Sequence, residues 1–232
     1  MIRCARILVA TGAAVATIAG AQDAGMKLSA KQARVEVRRY AECVVGIAPN
    51  RVRRLFEEGG GNREVLRAGL VLSECAGTPT TSANLKLQFR GDTYRYALAE
   101  ALIRRSYAGT DPAAVAAVKL EFTPLPPAPP AAVANAGRRA REEAETKSIN
   151  YAAFLLARYA NCVVSTEPAH ARDLIISDEN QASETAAFAA LQPALSTCLN
   201  FATTLRFGRM PLRGAIAVDY ALRAARTAPG KS

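Results

Sequence analysis

The sequence predicts an all-α protein: two tandem disulfide-stapled modules of about four helices each, joined by a Pro-rich linker. Three observations support this. Arg39-Tyr40-Ala41-Glu42-Cys43-Val44-Val45 returns as Arg158-Tyr159-Ala160-Asn161-Cys162-Val163-Val164, six of seven residues identical at an offset of 119. The ungapped match runs from Arg39 to Phe56 through Pro49/Pro168, Arg53/Arg172 and Leu55/Leu174, which makes nine identities in eighteen positions. A second cysteine follows in each copy, Cys75 and Cys198, and apolar residues recur at helical spacing around the repeated segment.

Residues 1–21 read as a signal peptide. Arg3 and Arg6 supply a basic start, Ile7 to Gly20 an apolar run, and Ala19-Gly20-Ala21 a cleavage site before Gln22. A helix of that run spans only about 21 Å, short of the roughly 30 Å hydrocarbon core, so removal is favoured over a retained anchor. No later stretch is apolar for long enough to span a bilayer. Cys4 leaves with the signal, and the net charge falls from +10 to +8 as Arg3 and Arg6 go.

Four cysteines remain, the even count that an exported disulfide framework requires. Of the three possible pairings, duplication selects Cys43–Cys75 and Cys162–Cys198, because a unit copied whole carries its own bond. Spacings of 32 and 36 residues, with a single histidine in the chain, do not resemble a zinc site.

Module one spans residues 28–122. Val37, Tyr40, Val44 and Ile47 form the buried stripe of its first helix, with Cys43 on the same side. Pro49 ends that helix and opens the next, Arg51 to Glu58, which stops at Gly59-Gly60-Gly61. Asn62 is the expected cap of a third helix running towards Cys75, with Leu66, Leu70 and Leu72 inward. The linking segment at 85–89, like its counterpart at 204–207, is a candidate for extended backbone. A closing helix starts at Asp92, runs to Arg105 and buries Leu98, Ala101 and Leu102.

Residues 123–137 form the Pro/Ala-rich linker, an extended polyproline spacer around Pro124-Leu125-Pro126-Pro127. Module two, residues 138–228, opens on charged helical sequence with Arg139/Glu143 and Arg141/Glu145 pairs at i, i+4. Pro168 takes the place of Pro49. Ser183 to Leu199 is helical, with a kink or restart expected at Pro193. The closing helix runs from Pro211 to Arg226 and buries Ile216, Tyr220 and Leu222.

The combination of Tyr-Ala-x-Cys-Val-Val, a proline about four residues on, a second cysteine and the closing stretch Arg95 to Leu102 resembles a family of exported bacterial proteins of unknown function with repeated helical modules. The resemblance covers both modules and departs from the pattern at Ala217-Val218-Asp219-Tyr220. It implies export and helical repeats, and transfers no chemistry.

Catalytic motifs are scarce. His170, the single histidine, has no nucleophile elbow beside it and reads as a surface residue. Glu100 and Asp219 occupy matching places on the two closing helices; converging in a cleft, they would be the acid and base of an envelope glycan hydrolase. The competing account pairs each with a nearby arginine, Arg104 or Arg223. Gly59-Gly60-Gly61-Asn62 lacks the Gly-Lys-Ser/Thr of a nucleotide loop, and nothing signals a metal or other cofactor.

Positive charge is concentrated in module one, where Lys27 to Thr123 carries sixteen basic against ten acidic residues. Arg51, Arg53 and Arg54 are the candidate anion-binding residues, for acidic envelope polymers or lipid headgroups. Export and the scarcity of interleaved aromatics disfavour nucleic acid. Tyr40 and Tyr159 are expected to pack beside the disulfides, and Arg39 and Arg158 to pair with helix neighbours. The reading that remains is a non-catalytic binding or scaffolding module of the periplasm or cell envelope. Its partner would be an envelope protein or an anionic envelope component.

Overall fold

A computed structural model describes residues 29–76, 92–122, 124, 126–128, 137–199 and 208–227. The signal reading, the linking segments at 85–89 and 204–207, and most of the linker lie outside them. Among the described residues the protein is all helical, without strands. The helices are α1 (Ala30–Ile47), α2 (Pro49–Glu57), α3 (Asn62–Arg67), α4 (Thr93–Leu102), α5 (Pro112–Ala117), α6 (Arg138–Thr166), α7 (Pro168–Ile176), α8 (Ala182–Thr197) and α9 (Arg209–Thr227). A 3₁₀ turn covers Ser73–Cys75, and a π-helical turn, Ile103–Tyr107, continues α4. No described helix is long and apolar enough to cross a membrane.

Local chemistry explains most of these boundaries. Ser29 caps α1 in a reciprocal box with Gln32: the Ser29 Oγ accepts from the Gln32 N–H, and the Gln32 carboxamide from the Ser29 N–H. Pro49 and Pro168 each occupy the first turn of a helix, where the missing N–H costs no hydrogen bond. Asp111 and Pro112 start α5, the Asp111 carboxylate accepting from the Ala113 N–H.

The third helix of the first half departs from expectation. Its N-cap is Gly61, whose N–H is held by the Glu64 carboxylate at 2.9 Å, and Asn62 is already helical. It ends after Arg67 because Gly69 adopts φ +62°, a left-handed turn open to glycine at little cost. Leu66 is 68% exposed rather than inward, whereas Leu70, on the loop beyond, is fully buried. On α1 the inward stripe is Tyr40, Ala41, Val44 and Val45; Ile47 is 55% exposed.

In the second half α8 runs through Pro193 without a break. The i, i+4 pairs on the exposed start of α6 are Arg138–Glu142 and Lys147–Glu143, in place of those expected. The final helix begins two residues before Pro211, at Arg209.

Both disulfides form as expected, Cys43–Cys75 and Cys162–Cys198, with Cα–Cα separations of 5.7 and 5.8 Å. The bonds tie α1 to the 3₁₀ turn and α6 to the end of α8. Helix α9 is the axis of the molecule. From Arg213 to Ala225 every residue except Leu222 is buried, and the helix packs against α2, α4 and α5 of the first half and α6 and α7 of the second. One contiguous hydrophobic cluster therefore draws on both copies of the repeat. Small side chains make this possible: Ala215, Ala217, Ala221, Ala224 and Ala225 let neighbours approach, and a Cβ at Gly214 would sit 2.3 Å from the Tyr96 ring.

Candidate functional site

Two arginines on α9 organise the polar interior. Arg213 is 1% exposed and uses both arms of its guanidinium. Its Nε donates to Glu100 of α4 at 3.2 Å and its Nη1 to Glu184 of α8 at 3.0 Å. Nη1 also reaches the Ser177 hydroxyl, and Nη2 donates to the carbonyls of Ile175 and Ser177, both at 2.9 Å. Arg104, from the π-helical turn, donates to the carbonyls of Ile176 and Ser177, both at 2.6 Å.

The last carbonyls of α7, which lack partners within their own helix, are thus capped by two guanidinium groups from other elements. Cations at a helix C-terminus are also favoured by the helix dipole. Glu100 and Glu184 supply the balancing charge. Burial pushes Glu100 above the usual carboxylate range, and the adjacent Arg213 opposes that rise.

Arg223 makes a second clamp about 15 Å along α9. Its Nε donates to Asp219 at 2.7 Å, its Nη1 to the carbonyls of Ala116 and Val118 at 3.3 and 2.5 Å, and its Nη2 to the Ser165 hydroxyl at 2.7 Å. The end of α5 is thereby joined to α6 and α9. Asp219 also accepts from Asn161 Nδ2 at 3.1 Å. Burial again raises this carboxyl, with Arg223 pulling against it.

Glu100 and Asp219 therefore belong to separate clamps, with no shared partner among the described residues. Asp219 takes the i+4 arginine expected of it. Glu100 takes Arg213 from the other half instead of Arg104. Of the anion-binding candidates, Arg51 donates to the Gly69 carbonyl at 3.1 Å and Arg53 lies 3.5 Å from Glu57; Arg54 is exposed on α2. Arg38 pairs with Glu42 and Arg39 with Glu36. His170 is half-exposed, its Nδ1 3.2 Å from Glu167. No group of metal-ligating side chains converges among the described residues.

Sequence reasoning missed Arg213 altogether. The available signal was its setting: an arginine inside the otherwise apolar run Leu212-Arg213-Gly214-Ala215-Ile216-Ala217-Val218 marks an interior cation that needs acidic partners.

A cleft of about 240 Å³ lies where α4, α6, α9 and the chain after α5 meet. Tyr96, Phe122, Val218 and Leu222 wall it, and Ala153, Ala157 and Ala215 leave its floor open. Arg95 and Asp92 stand at its polar side, with Asp219. The Arg95 Nε is buried and has no hydrogen-bond partner among the described residues. No protein-family model, curated protein or solved structure matches this chain.

Proposed function

We propose that this chain is an exported, non-catalytic binding or scaffolding module of the cell envelope. One observation carries the reading: the buried carboxylates Glu100, Glu184 and Asp219 are held as counter-ions of Arg213 and Arg223. Carboxylates clamped in this way hold the interior rigid, and a rigid body with open clefts suits recognition. Two disulfides are compatible with an oxidising compartment. The signal-like start and the resemblance of the repeated segments to exported bacterial proteins support the same location.

Fractionation of producing cells, with mass spectrometry of the mature chain, tests export. A product beginning at Gln22 and carrying both bonds is expected; cytoplasmic retention with free thiols would overturn the reading. For activity, the purified chain is incubated with labelled peptidoglycan and passed over immobilised envelope extract. Saturable retention of an envelope component without release of label is expected. Release of label that disappears in Glu100→Gln or Asp219→Asn would establish a hydrolase instead.

A further inference from the structure

We propose that the cleft between Arg95, Tyr96 and Phe122 binds a small amphipathic carboxylate, its head on Arg95 and its apolar body against Ala157, Val218 and Leu222. The inference rests on the binding reading above and names a ligand class for it. Four segments build the cleft, and its apolar walls come from both halves of the chain. At about 240 Å³ it exceeds the roughly 150 Å³ cavity that accommodates benzene and falls just below the approximate 300–1,000 Å³ range of ligand pockets. A small ligand fits that space.

The head group follows from charge. Arg95 is the only cation among the described residues that line the cleft. Asp219 is already neutralised by Arg223, whereas Asp92, whose carboxylate accepts from Asn62 Nδ2 at 2.8 Å, keeps its charge near Arg95 but forms no ion pair with it. Among the described residues the Arg95 Nε–H has no acceptor, and burial pulls this guanidinium below its ordinary range, with Asp92 opposing that fall. A ligand carboxylate would meet the two terminal Nη groups of Arg95, since the Nε is enclosed; a guanidinium offers such a planar pair of donors and an ammonium does not. The walls then select for a hydrocarbon body: an alkyl chain or ring lies against Tyr96, Val218 and Leu222, whereas a bare inorganic anion would leave them uncovered.

The test is calorimetric titration of the oxidised mature chain with octanoate, 1-octanol and octylammonium, which share a chain and differ in the head. Saturable 1:1 binding of octanoate is expected, with the alcohol and the amine at least tenfold weaker. Arg95→Gln is expected to weaken octanoate at least tenfold while leaving octanol unchanged, and the control Arg139→Gln, at an exposed arginine on α6, to leave octanoate binding intact. Ala157→Leu fills the cleft and keeps Arg95, so it reads the same site should Arg95→Gln fail to fold; loss of octanoate binding in that variant is expected. Equal binding of octanol and octanoate, octanoate affinity that survives Arg95→Gln or Ala157→Leu, or no saturable binding would each overturn the proposal. Absence of octanoate binding alongside retention of an envelope component removes this ligand and leaves the binding module standing; absence of both removes the two together.

Discussion

Tyr40 grips the backbone of Leu72 in both directions: its hydroxyl accepts from the Leu72 N–H at 2.8 Å and donates to the Leu72 carbonyl at 3.0 Å. Leu72 lies three residues before Cys75. Tyr159 donates in the same way to the carbonyl of Leu195 at 2.7 Å, three residues before Cys198. In each half the repeated tyrosine thus fixes the chain that delivers the second sulfur. The role is more specific than packing beside the disulfide, because it needs the hydroxyl.

Removing that hydroxyl separates the two sites. Tyr40→Phe is expected to cost about 1–3 kcal/mol, since it leaves a part-buried N–H without its acceptor; Tyr159→Phe, which loses one donated bond, falls near the lower figure. Denaturant titration of the oxidised proteins measures both. Equal and negligible losses would mean that the hydroxyls only fill space.

Loss of either staple is also measurable. The bonds close 32 and 36 residues, so each paired Cys→Ala substitution is expected to reduce stability by about 3–4 kcal/mol on the chain-entropy account. Non-reducing peptide mapping should recover only the Cys43–Cys75 and Cys162–Cys198 peptides. A cross-link between the halves would contradict the duplicated-unit reading.

Arg213 tests how the halves are held together. Arg213→Met strands two buried carboxylates, Glu100 and Glu184, and is expected to cost about 3–5 kcal/mol. Arg213→Lys should recover little of it, because an ammonium cannot span Glu100, Glu184 and the α7 carbonyls at once. Adding Glu100→Gln and Glu184→Gln to Arg213→Met should return part of the lost stability. Strict additivity in that cycle would show that the clamp is not a unit.

Gly214 carries the closest approach onto α9. Alanine there improves helix propensity by about 1 kcal/mol, yet its Cβ would meet the Tyr96 ring and Cβ at 2.3–2.7 Å. The steric term is expected to win, with Gly214→Ala destabilising by about 1–3 kcal/mol. Tyr96→Ala removes the ring but keeps the Cβ, so it should relieve part of the defect, and the double variant would lose less than the sum of the two singles in thermal melts.

Alkaline pH reaches the tyrosines. Burial raises Tyr96 and Tyr107 from 10.0 to about 12 and pushes Tyr94 higher still; Tyr40, Tyr159 and Tyr220 also rise. Between those values the folded chain keeps protons that the unfolded chain releases. Their contribution is therefore complete below pH 10 and is lost as the pH climbs towards 12. Tyrosinate absorbance is expected to appear together with unfolding in that window. Ionisation of these six tyrosines near pH 10 with the helical signal intact would contradict this.

The amino-acid order alone determined the helical class, the prolines that open α2 and α7, the pairing of the four cysteines and the Asp219–Arg223 contact, because each depends on neighbours a few residues away or on an internal copy. It misplaced Ile47 and Leu66, whose exposure depends on which sides of their helices other elements cover. It gave Glu100 the wrong arginine for the same reason: Arg104 is four residues away, but the π-helical turn and the end of α7 draw it to backbone carbonyls, and Arg213 arrives from 113 residues further along the chain. Only the tertiary structure decided that α9 is enclosed by both halves, that they share one core, and that Arg95 faces an apolar cleft. Burial from every side is a property of the assembled helices, since the residue pattern of one helix does not say which partners will cover its faces.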